Sequence, residues 1–89
     1  MYYVYRIRSL TQPKQSFIAT SSDVKKRVKM HNAGRVEATK DACPWKLTFY
    51  AGFTRKERAK EFELYLKSPE GKKFGRKYLW HIQKEVDQL

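Results

Sequence analysis

The sequence is poor in cysteine and has no long apolar run. Cys43 is its one cysteine, so the chain can form neither an internal disulfide nor a cysteine metal cluster. This usage suits a reducing compartment, and we expect a cytoplasmic protein. No stretch approaches the roughly 18 apolar residues that span a bilayer, and the N-terminal Met-Tyr-Tyr-Val-Tyr-Arg has no continuous apolar core. We therefore expect neither a signal peptide nor a membrane partner.

Acidic residues are also scarce. Nine Asp and Glu stand against twenty Lys and Arg, which gives a net charge of +11. A field of this strength concentrates polyanions around the protein, and nucleic acid is the first candidate. A membrane surface fits less well, because no segment pairs a clean apolar helix face with a basic one. Composition alone also fits a small protein that its lysines keep soluble.

The length of the chain limits its architecture. With 89 residues it is expected to form a single domain over residues 1–89, with a core at about 2–80 and a C-terminal helix to about 88. A chain of this size buries only about 60–65% of the surface that its unfolded form exposes. Thirteen aromatic residues are enough for a thin core without a deep pocket.

The first twenty residues predict a β-hairpin. Residues 2–8 and 16–20 are rich in aromatic and β-branched types, and residues 9–15 contain turn formers including Pro13. Strand alternation places Tyr3, Tyr5 and Ile7 on one face. The opposite face then carries Tyr2, Val4, Arg6 and Arg8.

A helix should follow directly. Ser21-Ser22-Asp23 supplies side-chain oxygens that can cap free amides, and Gly34 ends the pattern, so the helix should run to about Ala33. One stripe of this helix contains Val24, Arg27, Val28 and His31.

The rest of the chain predicts a strand and two helices. After a polar connection at 34–44, residues 46–53 alternate loosely as a third strand, and Thr54 is expected to cap a helix at about 55–67. The buried stripe of that helix is Ala59, Phe62 and Leu66, with Glu63 beside it. Ser68-Pro69 opens a last helix that carries Phe74, Tyr78 and Ile82 at helical spacing. The order ββαβαα predicts an α+β fold, a small three-stranded antiparallel sheet flanked by helices.

Several short motifs occur in an order that is hard to obtain by accident. Tyr3-Val4-Tyr5 and Phe17-Ile18-Ala19 lie on the two hairpin strands, and Arg27, His31 and Asn32 follow on the first helix. Pro44-Trp45 introduces the third strand, and Ala59, Glu63 and Lys67 are spaced four and four on the second helix. This set resembles the GIY-YIG nuclease superfamily, as a small stand-alone member, over about residues 2–80.

The resemblance implies a metal-dependent DNA endonuclease that hydrolyses phosphodiester bonds. Its implied catalytic residues are Tyr5, Arg27, His31 and Glu63. Glu63 would hold one Mg²⁺ or Mn²⁺ ion, and Arg27 would clamp the phosphate through its planar fork of donors. Tyr5 would orient or deprotonate the attacking water, and His31 would assist it from one helical turn after Arg27.

The expected partner is DNA, with RNA as the alternative, bound by a monomer or a weak homodimer. The side chains expected to bind it are Tyr3, Phe17, Lys25, Lys26, Lys29, Asn32, Lys40 and Lys67.

Three departures from the family pattern bear on activity. Phe17 replaces the tyrosine of the second motif, Ala19 replaces its glycine, and no asparagine follows Glu63. The alternative is therefore a weakly catalytic or inactive nucleic-acid-binding module on the same scaffold. A third interpretation is a small basic RNA-associated protein whose motifs are coincidental.

Each residue also has a purely structural interpretation. Tyr3 and Tyr5 fit core aromatics with hydroxyls at the surface, and His31 fits a partner of the helix C-terminus. Glu63 and Lys67 fit a surface ion pair worth only about 0.3–0.5 kcal/mol.

Overall fold

The chain is built around a three-stranded antiparallel sheet in the computed structural model, which describes residues 1–80. Strands β1 (Tyr2–Ser9) and β2 (Ser16–Ser21) form the predicted hairpin, and β3 (Trp45–Phe53) pairs with the other side of β1. The strand order is β2-β1-β3, so β1 is central and β2 is an edge strand.

Helices cover the sheet. They are α1 (Val24–Asn32), α2 (Lys56–Lys67) and α3 (Pro69–Phe74); a 3₁₀ turn at Lys40–Ala42 precedes β3, and a π-helical stretch at Gly75–Leu79 follows α3. The order ββαβαα and the α+β class are confirmed. Within residues 1–80, no helix has the length and apolar character needed to cross a membrane.

The two faces of the sheet carry separate cores, as the alternation along β1 predicts. Tyr5 and Ile7 are fully buried on the α1 face, where Trp45 joins them. Val4 is fully buried on the other face, against Ala59 and Leu66 of α2. The two faces of β1 therefore anchor different helices.

A bulge in β3 interrupts the register. Arg6 lies opposite Phe49 while Ile7 lies opposite Leu47, which leaves Thr48 as the extra residue. The hydroxyl of Thr48 accepts a 2.9 Å hydrogen bond from Nη1 of Arg6 and donates to the Arg6 carbonyl at 3.1 Å. The bulge thus holds the guanidinium group of Arg6.

The start of α1 lies later than the sequence predicted. Ser21 still belongs to β2, and the cap is Asp23, whose carboxylate accepts the backbone N–H of Lys26 at 3.1 Å. The end is as predicted, because Gly34 takes the left-handed φ of 72° that follows a helix terminus.

The start of α2 differs too, and Thr54 as its cap is wrong. Arg55 occupies the capping position with an extended backbone and no side-chain cap bond, since the helix begins at Lys56. At the next helix the prediction is confirmed: Ser68 accepts the N–H of Gly71 at 3.1 Å, and Pro69 fills the first position.

The corner between α2 and α3 needs two glycines. A side chain at Gly71 would collide with the Tyr65 carbonyl, and one at Gly75 would collide with the indole of Trp80. The π-helical stretch shifts the face that packs on the sheet, so Leu79 and Trp80 enter the core while Phe74 and Tyr78 stay exposed. Ile82 and the helix expected to about 88 lie outside the described residues.

Candidate active site

Three side chains from different elements form a buried hydrogen-bonded chain. The hydroxyl of Tyr5 lies 2.8 Å from Nε2 of His31, and Nδ1 of His31 lies 2.7 Å from the hydroxyl of Thr39. Tyr5 and His31 have no exposed surface, and Thr39 is 2% exposed. The resemblance grouped Tyr5 with His31, and the fold brings them into direct contact.

The hydrogen-bond partners indicate which atoms of Tyr5, His31 and Thr39 carry the protons. Among residues 1–80, His31 is the one hydrogen-bond partner of the Tyr5 hydroxyl, so that hydroxyl is best satisfied when it donates to Nε2. Nδ1 then carries the imidazole proton and donates to Thr39, whose own hydroxyl can donate to the Val36 carbonyl 3.4 Å away. Neutral His31 is thereby an acceptor for the phenol proton.

The surroundings of His31 favour this neutral state. Burial lowers the pKa of the imidazole, and the positive charge of Arg27 lowers it further. Phe17 packs edge-on against the ring, with centroids 5.3 Å apart. The motif residues Tyr5, Phe17, Arg27 and His31 are thus neighbours.

Arg27 is half-buried on α1 with its donors largely free. Within residues 1–80, its one side-chain hydrogen bond is a long one, from Nη1 to the sulfur of Met30 at 3.8 Å. Across the described chain it forms no ion pair, so its planar fork is available for an anion.

Glu63 lies on the opposite face of the sheet from His31. It is only 5% exposed, although most glutamates are at the surface. Lys60 donates to Oε1 at 3.2 Å and Lys67 donates to Oε2 at 2.7 Å. Burial raises the pKa of the carboxyl, but the hydrogen bonds and charges of Lys67 and Lys60 outweigh it and leave the pKa below 4.5. The carboxylate is therefore ionised at neutral pH.

Glu63 could hold a divalent ion only if the ion kept most of its water, because the described residues offer no all-protein cage. Within the described residues, no three His, Cys, Asp or Glu side chains form a metal cluster. Each carboxylate oxygen keeps a second lone pair beyond its lysine bond. Mg²⁺ is commonly held by one or two carboxylates, water and substrate phosphates. Lys67, which is 46% exposed, can also swing into solvent.

A groove at the edge strand is lined by a neighbour of each part of the candidate site. It has a volume of about 480 Å³, and its lining includes Phe17 and Lys67. Phe17 contacts His31 on the α1 side, and Lys67 contacts Glu63 on the α2 side. A ligand in the groove would therefore touch a direct neighbour of His31 and one of Glu63.

Ala19, in the glycine position of the second motif, is accommodated without strain. It pairs with Tyr5 across the hairpin and packs in the core on the α1 side. No non-glycine residue of the described chain has a positive φ. The added methyl group is therefore compatible with the strand.

The remaining predicted nucleic-acid contacts are spread over the surface. Tyr3, Lys25 and Lys29 line an apolar hollow of about 520 Å³ between α1 and the sheet. Lys26 is exposed, and Lys40 forms an ion pair with Glu37 at 3.1 Å.

The side chain of Asn32 is hydrogen-bonded to the protein backbone. Its amide accepts the N–H of Trp45 and donates to the Trp45 carbonyl at 3.1 Å, which fixes the start of β3.

Sequence reasoning missed Thr39 and Lys60. Thr39 lies in an irregular connection, where no periodicity indicates burial. Lys60 had a usable pattern, because a lysine three residues before a glutamate lies on the same side of a helix.

The sequence matches a protein-family model over most of its length. The family model described as the GIY-YIG catalytic domain matches residues 1–78. The match covers most of the chain and indicates a nuclease-type fold. A search of curated proteins finds no significant match.

Proposed function

Because the chain belongs to the GIY-YIG family, we propose that it is a metal-dependent DNA endonuclease that hydrolyses phosphodiester bonds. The observation that carries this proposal is Glu63, an ionised and nearly buried carboxylate in a protein of net charge +11. Burying a charge is costly, and a structural helix would place an apolar residue there. A carboxylate beside a cationic groove is the arrangement expected where a cation and a phosphate bind together.

In this proposal Glu63 holds the divalent ion. When bound, Mg²⁺ or Mn²⁺ would polarise the phosphate and stabilise the charge on the leaving oxygen. Lys60 and Lys67 keep the carboxylate ionised and aligned before the ion arrives. Their exposed ammonium groups can then turn to the phosphate oxygens, which carry the same sign of charge as the carboxylate.

Arg27 would stabilise charge that develops on the phosphoryl oxygens. Its guanidinium has no carboxylate partner among residues 1–80, so it loses no ion pair when it binds a phosphate. Removal of such a donor typically slows catalysis by about 10²–10³-fold.

Tyr5 and His31 would handle the proton of the attacking water. The hydrogen bond to neutral His31 would orient the Tyr5 hydroxyl, whose oxygen would take a proton from the attacking water as its own proton passes to Nε2 of His31. Tyr5 has no exposed surface, so water reaches its hydroxyl only when a neighbour moves. Phe17, which lines the groove and contacts His31, is the side chain that we expect to move.

The experiment is nicking of supercoiled plasmid DNA. The wild type should nick with Mg²⁺ or Mn²⁺ and stop in EDTA, and Arg27→Ala should be slower by about 10²-fold or more. A structured RNA in place of the plasmid decides between the two nucleic acids.

Two results would count against the proposal. A wild type that binds DNA but never nicks it, with either metal, would support the non-catalytic binding module. Nicking that persists in EDTA would rule out the assigned role of the metal.

A further inference from the structure

The groove at β2 is lined by cations from five parts of the chain. They are Arg6 of β1, Lys14 of the hairpin turn, Lys67 of α2, Lys72 of α3 and Arg76 of the π-helical stretch. Lys72 and Arg76 are four residues apart on consecutive helical turns, so they lie on the same side. The fold thus gathers five positive charges that are far apart in sequence.

Among the described residues, only Lys67 of these five cations forms an ion pair with a carboxylate, that of Glu63 at 2.7 Å. The part of the groove lining that is described includes no carboxylate. Burial, and then the charge of Arg8, lower the pKa of Arg6 to about 10. Nε of Arg8, two residues along the same face, is buried without a hydrogen-bond partner in the part of the chain that is described. Cations in this position are stabilised by any bound anion.

The groove is also partly preorganised. Thr48 holds Nη1 of Arg6, and the Arg6 guanidinium lies 4.5 Å from the centre of the Trp80 ring. Gly75 leaves the space into which this indole packs. Arg6 is therefore fixed at the wall, while Lys72 and Arg76 are exposed and can adapt to a ligand.

We propose that this groove binds the phosphodiester backbone of the strand to be cut and leads it to Glu63, an inference that rests on the proposed function. Five cations without a carboxylate match several phosphates better than one anion. Ile18 and Leu66 provide an apolar floor for the sugars between them. Lys67 lines the groove and also contacts Glu63, so a strand in the groove would pass a direct neighbour of the carboxylate.

This placement differs from the one that the sequence suggested. Lys25, Lys26 and Lys29 form the densest basic run, but they lie on α1, which packs on the Tyr5 face of the sheet. The groove lies by α2 and α3 instead. The α1 lysines then contribute general attraction, and the groove holds the strand.

The test measures binding without catalysis. A fluorescent oligodeoxythymidylate is titrated in EDTA at several salt concentrations against the wild type and Lys72→Gln/Arg76→Gln. Both residues are exposed, so the variant should keep its fold. The matched control is Lys56→Gln/Arg58→Gln, which removes the same charge from exposed positions of α2 outside the groove.

If the groove holds the strand, Lys72→Gln/Arg76→Gln weakens binding at least about tenfold. It should also reduce the slope of log K against log salt by about 1.4, which is about 0.7 for each lost phosphate contact on a single strand. The control should change the slope far less. Equal effects of the two double variants, or no effect of the groove variant, would overturn the inference.

Failure of the groove can be told apart from failure of the proposed function. Binding in EDTA needs no metal and no hydrolysis, so it reports on the groove even in a protein that never nicks DNA. Conversely, the wild type could nick DNA while the groove variant binds and nicks normally. This result would support the nuclease function and rule out the groove as the binding site of the strand.

Discussion

The ring of Phe17 lies edge-on against the imidazole of His31, 5.3 Å between centroids, and the same side chain lines the cationic groove. A phenylalanine here keeps the shape of the family's tyrosine but presents no hydroxyl. The remaining motif hydroxyl, on Tyr5, is buried and donates to His31. The lining at residue 17 is therefore apolar where a hydrogen-bonding group would be useful.

Phe17→Tyr is expected to raise the nicking rate by at least about tenfold. The substitution adds a hydroxyl to a side chain that already lines the groove, and a positioned proton acceptor typically contributes about 10²–10⁴-fold. Initial nicking rates on plasmid DNA at saturating Mg²⁺ measure the effect. An unchanged or lower rate, in a variant as stable as the wild type, would show that the lost hydroxyl is not what limits catalysis.

Thr39→Val is expected to destabilise the fold by about 1–3 kcal/mol. It leaves Nδ1 of His31 buried without a partner while keeping the volume of the side chain. Urea unfolding followed by tryptophan fluorescence measures the free energy. Thr39→Ser, which keeps the hydroxyl, is the control and should lose less. Equal losses in the two variants would assign the cost to the methyl group instead.

Acidification is expected to destabilise the protein through His31. The pKa of His31 is lowered in the folded state, so the unfolded chain takes up a proton that the folded one refuses. The free energy of unfolding is therefore highest above the unfolded pKa of 6.5 and falls as the pH drops through the lower folded pKa, by up to about 1.4 kcal/mol per pH unit.

The control for this pH effect is His31→Gln. Its unfolding free energy should depend less on pH than that of the wild type just below pH 6.5. Glu63 loses its stabilising contribution only at lower pH, because the pKa of its carboxyl lies below 4.5. Parallel pH profiles for the wild type and His31→Gln would contradict the assignment of a neutral, buried imidazole.

The sequence predicted the elements well because their local rules are strong. Alternation in β1, the Ser68-Pro69 start and the Gly34 stop each depend on a few adjacent residues. The predicted cap of α2 was wrong by one residue. The extended backbone at Arg55 makes this residue the cap instead of Thr54. The π-helical stretch was not predicted, because it accompanies the packing of Trp80 against Gly75, a tertiary contact that the local sequence does not indicate.

The candidate site was only partly predictable for a related reason. The pairing of Tyr5 with His31 followed from motif order, but their complete burial depends on Thr39 and Trp45 in and after an irregular loop. The groove was out of reach, since Lys14, Lys72 and Arg76 acquire a common position only when α3 folds back beside β2. Contacts set by tertiary packing leave no periodic pattern.

The most direct test compares plasmid nicking by Glu63→Gln with nicking by Glu61→Gln. Both changes remove one carboxylate from α2, but Glu61 is exposed and forms an ion pair with the exposed Arg58 at 3.5 Å. Glutamine keeps the shape of Glu63, and Lys60 and Lys67 can turn to solvent, so the cost in stability should be about 1 kcal/mol or less.

Glu63→Gln is expected to lose nicking activity by about 10²-fold or more, while Glu61→Gln keeps it. Equal nicking rates in the two variants would contradict the role of the Glu63 carboxylate in catalysis.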